Sequence, residues 1–358
     1  MKASHPGTTR PRLVRAWLVV CAALIAVMVC VGGATRLTDS GLSITEWDLV
    51  MGALPPLSHA HWEEAFALYR QIPEYHRVNA GMSLAEFRSI YWWEWGHRNL
   101  GRVIGLAFLL PLAWFSARGW VRGRLRLGLW GLFALVCLQG AIGWYMVASG
   151  LSERVDVSQY RLALHLGTAL VLFCLVVWTV LSLTRGRGRG AELGLGGWAL
   201  AGLALAFGQV TLGAFVAGLR AGSTYNTWPL MDGRFVPEGY LGDPARPADL
   251  FERVAAVQFN HRVGAYLLLA FAGAFAWRAW RAGAARYGAV PLAAVTAQAG
   301  LGIWTLLALV PLWLGVAHQA GALVVLSAFV WSAYALTPAR GALRPRSPAA
   351  RSAGLAPA

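Results

Sequence analysis

Glu94-Trp-Gly-His97-Arg98-Asn-Leu-Gly-Arg102 runs straight into Val103-Ile-Gly-Leu-Ala-Phe-Leu-Leu-Pro-Leu-Ala-Trp-Phe115, a polar head joined to an apolar stretch. A helix needs roughly 20 such residues to cross a bilayer. This one carries an ionisable histidine near one end, which is costly in lipid and marks a function by default. The pattern returns as Gln258-Phe-Asn-His261-Arg262, again followed by an apolar run, at an offset of 164. Motifs that recur in register are the signature of a duplicated unit.

Working outward, eight spans are expected, at about 17–36, 97–116, 127–148, 162–183, 197–218, 261–280, 289–309 and 313–335. Of the 358 residues, 57% are hydrophobic and 13% charged, against about a quarter charged in a soluble domain. The expected class is all-α integral membrane. Residues 1–33 have a basic start and an apolar stretch but no small-residue cleavage site, so they read as a retained first helix.

The net charge of +15 is a topology signal. Arginines gather in alternate connections: Arg10, Arg12 and Arg15; Arg118, Arg122, Arg124 and Arg126; Arg185, Arg187 and Arg189; Arg278, Arg281 and Arg286; Arg340, Arg344, Arg346 and Arg351. The only acid in these segments is Glu192. This is the positive-inside pattern, which puts both termini in the cytoplasm. Anionic lipid, not nucleic acid, is the expected neighbour of the basic excess. Two long outer connections are expected, about 38–92 and 220–256. Cys21, Cys30, Cys137 and Cys174 all fall in spans and read as small apolar packing residues.

Further motifs repeat in order. Gly41-Leu-Ser-Ile-Thr-Glu-Trp47 after span 1 matches Gly222-Ser-Thr-Tyr-Asn-Thr-Trp228 after span 5, at an offset of 181. Gln139-Gly-Ala-Ile-Gly143 in span 3 matches Gln298-Ala-Gly-Leu-Gly302 in span 7. His165-Leu-Gly167 in span 4 matches His318-Gln-Ala-Gly321 in span 8. The chain therefore divides into a tail (1–16), an N-terminal four-helix half (17–190), a C-terminal half (191–336) and a basic tail (337–358). An even number of helices per unit relates the halves by a pseudo-two-fold axis along the membrane normal.

His97, His165, His261 and His318 take matching places on the even-numbered spans. Haem iron accepts two axial ligands on opposite faces, and a four-helix bundle leaves an apolar slot between facing helices. One haem per half follows, held by His97 with His165 and by His261 with His318. Zinc or copper would want three or four ligands per centre. His59 and His61, in the first outer connection, are weak evidence for a metal.

The halves differ at one position. Glu94 precedes His97 by three residues and so shares its helix face; its counterpart is the neutral Gln258. An acid between apolar walls and an iron can serve proton transfer or stabilise a cation. Arg36, Arg98, Arg220 and Arg262 stand near the outer ends, where guanidinium groups would suit haem propionates.

The stretch Gly32-Gly-Ala-Thr-Arg-Leu-Thr-Asp-Ser-Gly-Leu-Ser-Ile-Thr-Glu-Trp47, the Glu94-Trp-Gly-His97-Arg98 motif and the four-helix duplication resemble the haem A synthase family, over about residues 17–335. The resemblance implies oxidation of the C8 methyl of haem O to a formyl group, giving haem A for terminal oxidases. It implies substrate haem between His97 and His165, a cofactor haem b between His261 and His318, and Glu94 as the catalytic acid. It places the chain in the bacterial inner membrane, with its haem sites toward the outer side. Haem O synthase and a second copy of the chain are candidate partners, and the electron donor is unspecified. Some members carry a cysteine pair in the first outer loop; this chain has none there. Two other readings stay open at this point: a two-haem cytochrome that only carries electrons, and a haem transporter or chaperone.

Overall fold

The computed structural model describes residues 7–48, 51–151, 156–184, 193–242 and 246–338. The arginines at 185, 187 and 189, Glu192, and the basic tail from 339 onward lie outside them. Eight helices are long and apolar enough to cross a membrane: α1 (Pro11–Leu37), α4 (Leu84–Ala117), α5 (Gly123–Ala148), α6 (Gln159–Ser182), α7 (Gly196–Gly218), α9 (Val254–Arg281), α10 (Ala285–Leu307) and α11 (Leu312–Leu336). Shorter helices α2 (His59–Tyr69), α3 (Pro73–Arg77) and α8 (Asp249–Glu252) lie in the long connections. Among the described residues there is no β-strand beyond two isolated bridges. The chain is an all-α integral membrane protein.

The helices agree with the expected spans in number and order, with three differences at their ends. Helix α1 starts at Pro11, earlier than the apolar run, because a proline at the first helical position gives up no needed N–H. Helix α4 starts at Leu84 and α9 at Val254, well ahead of their apolar stretches. For α4 the cause is a capping box. Ser83 Oγ accepts the Glu86 N–H at 3.3 Å, and the Glu86 carboxylate accepts the Ser83 N–H at 2.8 Å. The connection at 38–92 is therefore largely helical. Its aromatic residues build a second small core in which Trp62, Tyr69, Phe87 and Tyr91 are buried.

Helix α1 packs on α4, α4 on α5, α5 on α6, and α6 returns to α1; likewise α7 packs on α9, α9 on α10, α10 on α11, and α11 returns to α7. Contacts α1–α11, α6–α7 and α6–α11 join the two groups. Phe329 of α11 is fully buried and stacks on Phe275 of α9, with ring centres 6.4 Å apart. A side chain at Gly202 of α7 would collide with the Phe329 ring, so that glycine sets how closely α7 and α11 approach. Leu110, Leu267 and Val324 stay exposed, as side chains facing lipid do.

Two spanning helices contain prolines, Pro111 in α4 and Pro291 in α10. A helical proline leaves the carbonyl four residues earlier without its N–H, and in an apolar medium that oxygen needs another donor. Both oxygens find one on a neighbouring helix. Trp17 Nε1 of α1 donates to the Ala107 oxygen at 2.7 Å, and Ser332 Oγ of α11 donates to the Tyr287 oxygen at 2.8 Å. Ser332→Ala should therefore lower the thermal midpoint of the detergent-purified protein, at a cost of ~1 kcal/mol. An unchanged midpoint would mean that the Tyr287 carbonyl is answered some other way.

The outer aromatic core holds a buried acid. Tyr69 Oη donates to Glu74 Oε2 at 3.3 Å, and Asn79 Nδ2 donates to Tyr69 Oη at 2.7 Å. Burial, then the charges of Asp39, Glu94 and Asp156, push Glu74 up to about 8. The folded protein thus holds a proton that the unfolded chain releases above about 4.5. Folding stability conferred at this site is present below that pH and is lost as pH rises through about 8. Thermal midpoints measured from pH 5 to 9 should fall more steeply in the native protein than in Glu74→Gln; parallel curves would disprove the assignment.

Candidate functional site

The four matched histidines sit on α4, α6, α9 and α11, each ring half-buried against a neighbouring helix. Three are held identically. The Gln139 side-chain amide lies 3.1 Å from His165 Nδ1 and donates to the His165 carbonyl at 2.8 Å. Gln209 does the same at His261, at 3.1 and 2.9 Å. Gln298 does so at His318, at 3.2 and 2.8 Å. Four residues after each glutamine comes a glycine against the same ring. A Cβ at Gly143, Gly213 or Gly302 would stand 3.0, 3.1 or 2.7 Å from the histidine Cε1. The motif Gln-x-x-x-Gly on one helix thus fixes the histidine of the next: the glutamine grips Nδ1 and the glycine makes room for the ring. Each of these glutamines has a buried Oε1 without a partner.

His261 and His318 face each other with ring centres 6.4 Å apart and planes at 86°. His97 and His165 lie within electrostatic range of each other. Among the described residues no three or more His, Cys, Asp and Glu side chains gather into an ion-binding group. His59 pairs with Glu63 at the surface, at 3.4 Å.

Glu94 is 2% exposed and accepts on both oxygens. Ser43 Oγ and the Ile44 N–H donate to Oε2, each at 2.8 Å. Arg98 donates to Oε1 from Nε at 3.1 Å and from Nη2 at 2.7 Å. Arg98 also donates to the carbonyls of Ile44 and Glu46 and lies over the Trp47 ring. Acid and arginine together clamp the Gly41–Trp47 segment onto α4. In the matching place Gln258 works with the opposite polarity, donating to the carbonyls of Ala221 and Thr224 at 2.9 and 2.6 Å. Arg262 donates to the Tyr225 carbonyl at 2.8 Å, the counterpart of Arg98 with Ile44.

The four outer arginines divide. Arg36 and Arg220 share Asp39 and Asp156: Arg36 reaches them at 3.1 and 3.5 Å, Arg220 at 2.9 and 2.8 Å. These pairs tie the outer ends of α1 and α7 together, and each arginine keeps only its Nε unpartnered. Arg98 is taken up by Glu94 and the loop. Arg262 differs: its Nε and Nη1 are both buried and without a partner. Of the four, Arg262 is the one left with two unpartnered donors.

Sequence reasoning placed the histidines and the Glu94–Gln258 difference. It treated Gln139 and Gln298 as markers of repetition and passed over Gln209 altogether. The signal was there to read: Gln-x-x-x-Gly occurs three times, and Met28-x-x-x-Gly32 occupies the fourth place, 181 residues before Gln209-x-x-x-Gly213.

Fold and site together define a class: an eight-span membrane protein with histidine pairs on facing helices, an acid beside one pair and an amide beside the other. The cytochrome oxidase assembly protein family matches residues 15–330. The heme A synthase of Parvibaculum lavamentivorans is 52% identical over 320 residues, 89% of this chain and 93% of that protein. That of Maricaulis maris is 50% identical over 342 residues, 92% and 98%. That of Bradyrhizobium diazoefficiens is 55% identical over 321 residues, 88% and 89%. The chain belongs to this family, that of the haem A synthases.

Proposed function

We infer that the chain oxidises the C8 methyl of haem O to the formyl group of haem A. It is a membrane-bound oxidoreductase serving terminal-oxidase assembly. The observation that carries this reading is the unequal pair of sites: two histidine pairs in matching places, only one of them beside a carboxylate. A pure electron carrier has no need of that difference, and a carrier delivering pigment unchanged has no need of an acid at either site.

In this reading residues 17–190 and 191–336 are two four-helix halves related by a pseudo-two-fold axis along the membrane normal. The recurring motifs and the matching order of helix neighbours support it. His261 and His318 would hold a resident haem b. Their rings face each other with centres 6.4 Å apart, and an imidazole pair is a donor set that suits haem iron. Gln209 and Gln298 would hold the two rings in place from the Nδ1 side. Arg262 would meet the propionates. When bound, this haem would supply one-electron redox capacity.

His97 and His165 would grip haem O as substrate. Methyl to aldehyde takes two successive two-electron oxidations at one carbon: either O2 supplies the oxygen and takes the electrons, or an external acceptor takes the electrons and water supplies the oxygen. Glu94, surrounded by donors, is arranged as an acceptor. Its role here is a negative charge that stabilises positive charge growing at the methyl carbon and takes up the proton released there. Arg98, Ser43 and the Ile44 N–H hold it in place. Both termini would lie in the cytoplasm and the sites toward the outer face of the bacterial plasma membrane, as the arginine pattern supports. Haem O synthase and a second copy of the chain remain the candidate partners.

The test is expression in a host that makes haem O but not haem A, with extracted pigments separated by chromatography. Haem A should accumulate. Glu94→Gln should abolish it while leaving the haem b spectrum, and His261→Ala should remove that spectrum. No haem A and no hydroxylated intermediate, from assembled protein with a working donor, would overturn the reading.

A further inference from the structure

Three of the four histidines have a glutamine at Nδ1; His97 does not. The place that Gln209 takes in α7 is taken in α1 by Met28, with the glycine four residues on preserved as Gly32. Met28 is half-buried and packs among the core residues. A thioether is at most a weak acceptor and cannot donate, so it cannot do what the amide does. The ring answers accordingly. Where a glutamine is present, the atom closest to a Cβ on the glycine is Cε1. At Gly32 it is His97 Nε2, at 3.2 Å, followed by Cδ2 at 3.5 Å. His97 has turned a different edge to its glycine, and no side chain or carbonyl among the described residues bonds its ring.

We propose that Met28 is a positioning residue whose missing hydrogen bond leaves His97 as the exchangeable ligand, so that haem enters and leaves the N-terminal site from the His97 side while His165 stays fixed. This rests on the assignment of the histidine pairs to haem. The partner of a ligating histidine fixes its tautomer and orientation, and losing it typically weakens metal affinity about 10- to 100-fold. A resident cofactor calls for a partner on both ligands, and His261 and His318 each have one. A substrate that must be released once converted calls for a weak side. The chain has one, in the half that carries the acid.

The experiment uses the full chain in detergent, loaded with ferric haem b, and an excess of apomyoglobin as a haem trap. Transfer should run in two phases, the fast one from the N-terminal site. Met28→Gln should slow the fast phase at least about tenfold and shift one of the two low-spin resonance signals. A change in packing alone would not produce that shift. The reciprocal Gln209→Met should speed the slow phase at least about tenfold. Unchanged transfer rates in either variant would overturn the proposal, and either variant decides alone if the other fails to assemble. Native protein that takes up no haem would instead overturn the functional assignment itself.

Discussion

An imidazole inside an apolar bundle has two nitrogens to satisfy and no water to do it. Much of this molecule follows from that. On three spanning helices the Nδ1 side is met by a glutamine from the preceding spanning helix, which also takes the histidine's own carbonyl oxygen. The glycine one turn further lets the two backbones come close enough for the reach. The partner helix is thereby set in height and rotation. The same need for an internal partner recurs at the prolines, where Trp17 and Ser332 cross between helices to reach carbonyls that their own helices leave free.

Around the matched histidines the two groups of four spanning helices differ at particular residues. The segment after α1 and the segment after α7 dock in the same way, each through an arginine that holds the matching carbonyl, Ile44 or Tyr225. Exchange of Gln258 for Glu94 reverses the direction of the neighbouring bonds, from donating to the loop to accepting from it. Glu94 takes the Nε and Nη2 donors of Arg98, and Nη1 goes to the Glu46 carbonyl. On the other side Gln258 makes one long bond to Arg262, at 3.3 Å, and two guanidinium nitrogens there stay unpaired. Arg98 is thus spent within the protein, while Arg262 keeps two donors unpaired.

Span number, order and the histidine set were legible in the sequence because lipid leaves few options: an apolar run of the right length has to be a helix. The histidines stood out because the same environment makes them rare. The length of α4 was not legible from hydropathy, since its outer part is stabilised by a capping box and by an aromatic core shared with α2. The Ser83–Glu86 capping box was the local cue. Arg220 looked like an anion ligand because its partners are remote in sequence: Asp156 is 64 residues away and Asp39 is 181. The glutamines escaped notice because an amide in a span looks like polar glue until its partner is known.

The two histidine pairs are also joined. Gln319 follows His318 directly, and its amide donates to the carbonyl of Val29 at 3.0 Å, the residue after Met28. A side chain at Gly33 would collide with its Oε1, so that glycine makes room on α1 for the Gln319 amide. Two adjacent residues of α11 therefore face the two sites, His318 toward its own pair and Gln319 toward the helix that flanks His97. The outer ends are locked separately by Arg36, Arg220, Asp39 and Asp156. With the frame pinned at both levels, a difference in how the two proposed sites hold haem would have to come from side chains. Met28 and Glu94 are where the chain changes them.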